Sequence, residues 1–294
     1  MNAPSNVETN ALLRLALPKG AIEAGVRSLL ADAGIRVRAG AREYRPELSV
    51  AGFETKVLKP QNVVEMLHAG SRDLGFAGLD WVRELDADLV ELLDTGLDPV
   101  RVVAAAPATL LIDGELPDQP LVIASEYERL ARLWIARRGL RATLVRSYGA
   151  TEVFPPEDAD VVVDNSATGT TLRANALTVL DEVLVSSTRL FANPRALEQP
   201  ARREAIERFV VLLRSVLEAR RRVLLEVNVP AARLEAVITA LPAMRQPTIA
   251  ALAHGAGFAV KAAVPRVELP RLIPALKACG ATDLVVTQPS QIVP

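Results

Sequence analysis

The sequence predicts an α/β protein: a mostly parallel sheet with crossover helices, followed by a ferredoxin-like β-α-β-β-α-β unit. Three observations predict it. Short apolar runs alternate with amphipathic stretches through Ala106; the alternation resumes after a polar segment rich in Pro, Gly and Asp at 107–120; and from Val223 it changes to two helices set among four strand patterns.

Residues 12–17 read as a buried strand, and Pro18-Lys19-Gly20 leads into a helix over 21–33 that Gly34 ends as a glycine C-cap would. Residues 53–58 are a strand and 60–69 a helix opened by Pro60. Leu74-Gly75-Phe76-Ala77-Gly78 is a third strand, 80–85 a short helix, and 90–93 and 100–106 further strands. Beyond the crossover come a strand at 121–124, a helix at 128–138, strands at 142–145 and 161–164, and a helix beginning near Leu172. Residues 177–184 and 187–192 read as strands returning the chain to the first sheet, and 202–218 as a long amphipathic helix. The tail reads as strand 223–229, helix 231–240, and a hairpin of 248–252 with 258–264 across His254-Gly255-Ala256-Gly257. Helix 269–278, stopped by Gly280, and strand 283–287 complete it. Such an appended unit commonly binds an effector or mediates assembly, and fold alone does not say which.

Composition narrows the function. The chain has 294 residues, 50% of them hydrophobic, enough for two or three domains with sizeable cores. Lys and Arg number 34 against 35 Asp and Glu, a net charge of −1, which lacks the basic surplus of a protein that wraps nucleic acid. A local basic pocket for a small anion stays open. No stretch approaches the roughly 18 apolar residues of a membrane span. Residues 1–9 are polar with no basic start before an apolar run, so a cytoplasmic protein is expected. Cys279 is the one cysteine, reads as a small core residue and excludes an intramolecular disulfide. The two histidines, His68 and His254, lack partner ligands at metal spacing, so no zinc site is expected and any chemistry runs without a histidine base. Arg220-Arg221-Arg222 reads as a solvated linker.

The strongest constellation runs from Asp160 through Asp164-Asn165-Ser166-Ala167 to Thr168-Gly169-Thr170-Thr171-Leu172. A buried strand delivers Asp164 at its C-terminal end, and a loop of small residues then opens a helix. Small side chains let a phosphate approach the unpaired backbone N–H groups of a helix start, and threonine hydroxyls add donors. Asp164 beside that site is placed to accept from vicinal ribose hydroxyls. No Gly-Lys-Ser/Thr follows, so this is not a Walker loop. The alternative reading is a helix start capped by Thr168 or Thr170 with no ligand. Lys19 and Gly20, again between strand and helix, form a second candidate, where lysine can meet a pyrophosphate as a point charge. Asp73 with Gly75 and Gly78 reads either as a cleft-lining strand or as tight packing. Gly149-Ala150-Thr151-Glu152 reads either as a turn presenting a carboxylate or as a capped turn.

From about Leu13 to Pro294 the chain resembles the long-form ATP phosphoribosyltransferases. The resemblance rests on Ala16-Leu17-Pro18-Lys19-Gly20, Lys59-Pro60-Gln61, Asp73 to Gly78 with Asp80-Trp81, Tyr148 to Glu152, Asp160 to Asn175, Ser186 to Leu190 with Ala192-Asn193, and Pro247-Thr248-Ile249, in that order. It implies a core of two α/β lobes like the type II periplasmic binding proteins, with an ACT-like regulatory domain behind. Lobe I would be residues 1–106 and 186–219, lobe II 107–185, and the regulatory domain 220–294. The implied reaction moves the 5-phosphoribosyl group of phosphoribosyl pyrophosphate to N1 of ATP. The loop Thr168 to Leu172 would hold the 5-phosphate and Asp164 the ribose hydroxyls. Lys19, Gly20, Arg42, Asp73, Arg101 and Glu152 would line the ATP and pyrophosphate cleft, with Mg2+ on the pyrophosphate oxygens. Histidine would inhibit through Pro247, Thr248, Ile249, Ala250, Ala251 and Leu252 in a homo-oligomer, a hexamer or dimer. The chain departs from the family where Ala21 replaces a common Arg, Asp98-Pro99-Val100 a Gly-Lys-Cys type turn, Leu121-Val122 a Lys-Arg pair, and Ala167 an acidic residue. These changes leave open a weakened enzyme, an altered second substrate, or compensation by Arg129 or Arg146. A non-catalytic ligand-binding or regulatory protein on the same two-lobe fold is the alternative reading.

Overall fold

The computed structural model describes residues 12–42 and 44–293, the side chains of Ala41 and Arg42 excepted. The strands are β1 (Leu13–Pro18), β2 (Val37–Arg42), β3 (Arg45–Leu48), β4 (Phe53–Leu58), β5 (Leu74–Gly78), β6 (Val90–Pro107), β7 (Leu121–Ser125), β8 (Ala142–Arg146), β9 (Val161–Ser166), β10 (Leu177–Ala192), β11 (Arg222–Val229), β12 (Thr248–Ala251), β13 (Phe258–Pro265) and β14 (Thr282–Thr287). The helices are α1 (Glu23–Asp32), α2 (Pro60–His68), α3 (Leu79–Glu84), α4 (Glu128–Arg138), α5 (Thr170–Ala174), α6 (Pro194–Glu198), α7 (Pro200–Arg221), α8 (Leu234–Ala240) and α9 (Leu269–Ala278). Among the described residues no helix is long and apolar enough to cross a membrane. Contacts group the chain into two units: Ile35–Glu207 with the chain through Ser28, and Leu29–Gly34 with the chain from Arg208 onward.

The first unit is built on one eight-stranded sheet of order β4-β1-β5-β10-β6-β9-β7-β8. Its two ends are parallel trios, β4-β1-β5 and β9-β7-β8, and the long strands β10 and β6 join them in antiparallel fashion. The expected parallel sheet is therefore split by two antiparallel strands. Each trio has its own core. Val63, Val64 and Leu67 of α2 pack on Ala16, Ala77 and Phe191 in one. Tyr127, Leu130 and Trp134 pack on Leu121, Ile123 and Val161 in the other. Gly75 permits the close approach of α2, because a Cβ there would lie 2.7 Å from Val63 Cγ1.

Two differences from the expected elements have physical causes. The separate strands expected at 90–93 and 100–106 are one strand, as are those at 177–184 and 187–192. Gly96 and Asp98, both with positive φ, look like breaks in the sequence. Opposite Ser186, Thr188 and Arg189 they become extra residues of β6, absorbed as register shifts in a continuous ladder. The hairpin β2–β3 was not expected at all, because its first strand has only Val37, Ala39 and Ala41 as apolar residues and its second carries Pro46; Gly40 lets its strands cross closely, since a Cβ there would collide with the Arg45 carbonyl. Helix α4 also begins without a local cap. The Glu84 carboxylate of α3 fills that role, accepting from Arg129 N at 2.9 Å and Leu130 N at 3.0 Å.

Within the second unit, β11-α8-β12-β13-α9-β14 has the expected ferredoxin-like order. Its sheet runs β12-β13-β11-β14, antiparallel throughout. The alternating inward residues of β11, from Val223 to Val229, pack on Val237 of α8 and on Leu272 and Leu276 of α9. Cys279 packs against this core.

Candidate active site

Strand β9 is buried through Val163, then ends in Asp164-Asn165-Ser166, paired with Val103, Val102 and Arg101 of β6. Gly169, at φ +72°, turns the chain into α5. The helix starts at Thr170 rather than near Leu172, because this left-handed turn sets the helical direction two residues early. The Thr168 and Thr170 hydroxyls lie 2.9 Å apart. The loop, Asp164 and Glu152 surround a polar hollow of about 320 Å3. Into it faces a first helical turn whose N–H groups have no helical acceptors.

Asp164 is the tuned group of this hollow. Its Oδ1 accepts from Asn165 N at 2.7 Å, and it also accepts from the buried Thr151 hydroxyl, which is 2.7 Å from Ser147 Oγ. Burial pushes its carboxyl up, as do the charges of Glu152 and Glu126, while those hydrogen bonds pull it down; the balance leaves it at about 6. Arg173 was missed in the sequence. Its Nη2 donates to Thr170 Oγ1 at 3.3 Å, and its Nη1 lies 2.9 Å from the point a Cβ on Gly169 would occupy. The guanidinium thus lies over the loop. The available signal was an arginine three residues beyond Thr170, one helical turn along.

A second cavity of about 440 Å3 shares Asn165 and Ala167 with the first. Ala21 and Ile22, ahead of α1, line it with Trp81, Asp98 and Pro99. At its base Tyr127 donates to Asp80 Oδ2 at 2.7 Å and accepts from Asn165 Nδ2 at 3.0 Å, and Ser186 donates to Asp80 Oδ1 at 2.7 Å. The Trp81 and Tyr127 rings stack at 4.8 Å. Burial, then the Asp80 charge, pushes the Tyr127 phenol far above its ordinary range, so it stays a donor. Through Tyr127 the end of β9 is tied to the start of α3.

The structure brings some expected residues together and separates others. Glu152 joins Asp164 and the loop in the polar hollow. Lys19 and the left-handed Gly20 directly precede Ala21 of the larger cavity; Lys19 is exposed, with Nζ 3.3 Å from the Tyr44 hydroxyl. Arg101 is in register with Ser166, but its guanidinium lies 3.7 Å from the Glu182 carboxylate. Arg42 ends β2, and its side chain lies outside the described residues. Asp73 belongs elsewhere. It sits before β5, at the opposite end of that strand from Gly78, which lines the larger cavity. There it is buried against Arg14 at 2.7 Å and Arg202 at 3.1 Å. Burial raises its carboxyl, but the hydrogen bonds and charge of Arg14, with Arg202, hold it below the usual carboxylate range. Its role here is an ion pair that fixes strand ends, which a sequence cannot reveal because the Arg202 partner is distant in the chain.

The departures also separate. Ala21 and Pro99 line the larger cavity, whereas Leu121 is buried in one core and Val122 packs on another, so that pair lines neither of these two cavities. Neither Arg129, paired with Asp86 at 2.7 Å, nor Arg146, paired with Glu128 at 3.2 Å, lines either of these two cavities. In the second unit, Thr248 to Ala251 form the exposed edge strand β12, flanked by Pro247 and Leu252.

Residues 59–215 match the family profile described as ATP phosphoribosyltransferase, and residues 219–290 match that of the HisG C-terminal domain. The chain belongs to the ATP phosphoribosyltransferase family. It is a phosphoribosyl-transferring enzyme, of the family that opens histidine biosynthesis. An ATP phosphoribosyltransferase of Chlorobaculum parvum is 37% identical over 281 residues, spanning 94% of this chain and 96% of the relative. One of Pelotomaculum thermopropionicum is 35% identical over 287 residues, spanning 96% and 99%. Among solved structures, a chain of the ATP phosphoribosyl transferase (HisG:HisZ) complex from Thermotoga maritima superposes with a TM-score of 0.63 at 27% identity. That match covers 70% of this chain and 99% of the other. Family membership agrees with the two-trio core and the appended β-α-β-β-α-β unit.

Proposed function

We propose that this enzyme transfers the 5-phosphoribosyl group of phosphoribosyl pyrophosphate to N1 of the adenine ring of ATP, releasing pyrophosphate. The observation that carries the reading is the pair of adjoining cavities, one polar and one largely apolar, sharing Asn165 and Ala167. The 5-phosphate lies on the backbone N–H groups and hydroxyls of Thr168, Gly169, Thr170, Thr171 and Leu172, under Arg173. Asp164 accepts from the ribose hydroxyls. The adenine enters the larger cavity, with Lys19, Gly20 and Arg101 toward the phosphates. Residues 1–106 and 186–219 form one lobe, 107–185 the other, and 220–294 the regulatory domain.

Adenine N1 already carries a lone pair, so attack on ribose C1′ needs no histidine base. Positioning and charge stabilisation supply the catalysis. The hollow presents oxygen ligands only, and the described residues include no group of three or more His, Cys, Asp or Glu able to cage a metal. Glu152 and Asp164 are the carboxylates of the hollow that would face a Mg2+ ion brought in with the pyrophosphate. When bound it neutralises charge on the leaving pyrophosphate.

Histidine acts as the feedback effector at Pro247 to Leu252 in a homo-oligomer. The support is an edge strand whose outer N–H and C=O groups are open to a second copy. The test is ultraviolet detection of phosphoribosyl-ATP from both substrates with Mg2+. Product is expected, and millimolar histidine is expected to slow its formation. Ile249→Glu, at an exposed site on β12, is expected to abolish that inhibition while leaving the uninhibited kcat within about twofold. Substrate binding without turnover would overturn the catalytic reading, and inhibition unchanged in the variant would overturn the histidine site.

A further inference from the structure

The larger cavity has an unusual charge pattern. The charged side chains on its wall are Asp80 and Asp98, with no Lys or Arg among its described lining residues. A phosphate group is repelled there, and the apolar surfaces of Ile22, Trp81 and Pro99 suit a flat neutral ring carrying hydrogen-bond donors. Asp80 is committed, since its two oxygens already accept from Tyr127 and Ser186. Asp98 is not. Its Oδ2 accepts from Thr188 Oγ1 at 3.1 Å, and its Oδ1 takes no hydrogen bond from the described residues.

The placement of this carboxylate depends on two local features that are unfavourable by themselves. Asp98 lies at φ +47°, a left-handed conformation uncommon for a non-glycine residue, inside the β6 irregularity opposite Ser186 and Thr188. Across from it stands Gly25 in the first turn of α1, where glycine is a poor helix former. A Cβ on Gly25 would lie 2.9 Å from Asp98 Oδ2, so any side chain there would displace the carboxylate.

We propose that Asp98 selects the purine: its carboxylate accepts a hydrogen bond from the exocyclic amine of a 6-aminopurine and turns away a 6-oxopurine. This rests on reading the larger cavity as the nucleotide's site. A carboxylate only accepts, so the carbonyl of a 6-oxopurine meets a like acceptor and leaves both groups unpaired inside the cavity. The selection also serves the chemistry, because a 6-aminopurine has a lone pair at N1 where a 6-oxopurine carries a proton. Asparagine at this position has the same shape, tolerates the left-handed backbone better, and presents either an acceptor or a donor.

The test is calorimetric binding of ATP and of inosine triphosphate, each with Mg2+, to the full chain and to Asp98→Asn, with phosphoribosyl pyrophosphate binding and thermal melting as controls. The unaltered chain is expected to prefer ATP by at least about tenfold. In the variant that preference is expected to fall by about the same factor, through weaker ATP and stronger inosine triphosphate binding. Phosphoribosyl pyrophosphate affinity is expected to stay within about twofold, because its loop lies in the other cavity. If the unaltered chain forms phosphoribosyl-ATP and the preference is the same in both proteins, Asp98 does not select, and a change in melting alone assigns it to supporting α1. If the unaltered chain binds phosphoribosyl pyrophosphate but neither nucleotide, the reading of the cavity itself is overturned.

Discussion

Asp164→Ala is expected to lower kcat/KM for phosphoribosyl pyrophosphate by more than tenfold, a loss above about 1.4 kcal/mol of transition-state stabilisation. The carboxylate stands at the end of a buried strand, aimed into the polar hollow and oriented by Asn165 N and the Thr151 hydroxyl. Alanine removes the proposed acceptor for the ribose hydroxyls but leaves the strand, the Gly169 turn and the N–H groups of α5 in place. The loss should therefore appear with varied phosphoribosyl pyrophosphate at saturating ATP, and ATP binding should change little. Arg173→Ala is expected to act in the same direction by a smaller factor, about three- to tenfold, because it removes one charge-assisted contact and leaves the backbone donors. Unchanged kinetics in Asp164→Ala would remove that residue from the site.

The second large effect is on pH. With its carboxyl at about 6, Asp164 loses its charge within reach of ordinary assay conditions. The kcat/KM for phosphoribosyl pyrophosphate is expected to fall about tenfold for each pH unit below that point, since the protonated group no longer accepts from both hydroxyls. Glu152→Gln removes a like charge and should move the acid limb to lower pH; a limb that stays in place in that variant would contradict the assignment. Stability runs the other way. The folded state holds this proton more tightly than the unfolded chain, whose carboxyl has the ordinary value of 3.8. The resulting stabilisation is complete below about pH 4 and is lost as pH rises through about 6, leaving ionised Asp164 a burden on the fold at neutral pH. At 1.36 kcal/mol per pH unit, the rise from 3.8 to about 6 corresponds to at most about 3 kcal/mol, less whatever water still solvates this partly exposed carboxylate. Asp164→Asn is thus expected to melt above the unaltered protein at pH 8, with the gap closing toward pH 4, even as activity is lost. A melting point below that of the unaltered protein at pH 8 would mean the carboxylate is satisfied in the fold. An active site commonly carries such a trade-off between stability and activity.

The strand, turn and helix of the candidate site were legible because they are local. Asp164, Gly169 and the threonines lie within one strand-turn-helix segment, where each residue's conformation is set largely by its neighbours. The helix α4 and the tail module were legible for a related reason, since the apolar periodicity of each follows the face it buries. The merging of β6 and of β10 was not legible. Gly96 and Asp98 break a strand when read alone, and only the facing strand turns them into bulges.

By itself, then, the sequence determined most of the order of elements, the strand-turn-helix segment that carries Asp164 and the threonines, and the family. Each is encoded in short contiguous stretches or in composition. Tertiary structure alone decided the rest. It took Asp73 out of the cleft and into an ion pair with Arg14 and Arg202, laid Arg173 over Gly169, and put Glu152 beside Asp164. It also set Asp98 against Gly25 and Thr188, in a cavity that no linear segment describes. The physical reason is common to most of these. What a charged side chain does depends on which distant residues share its burial and which face it across a sheet, and those partners are chosen only when the strands pair.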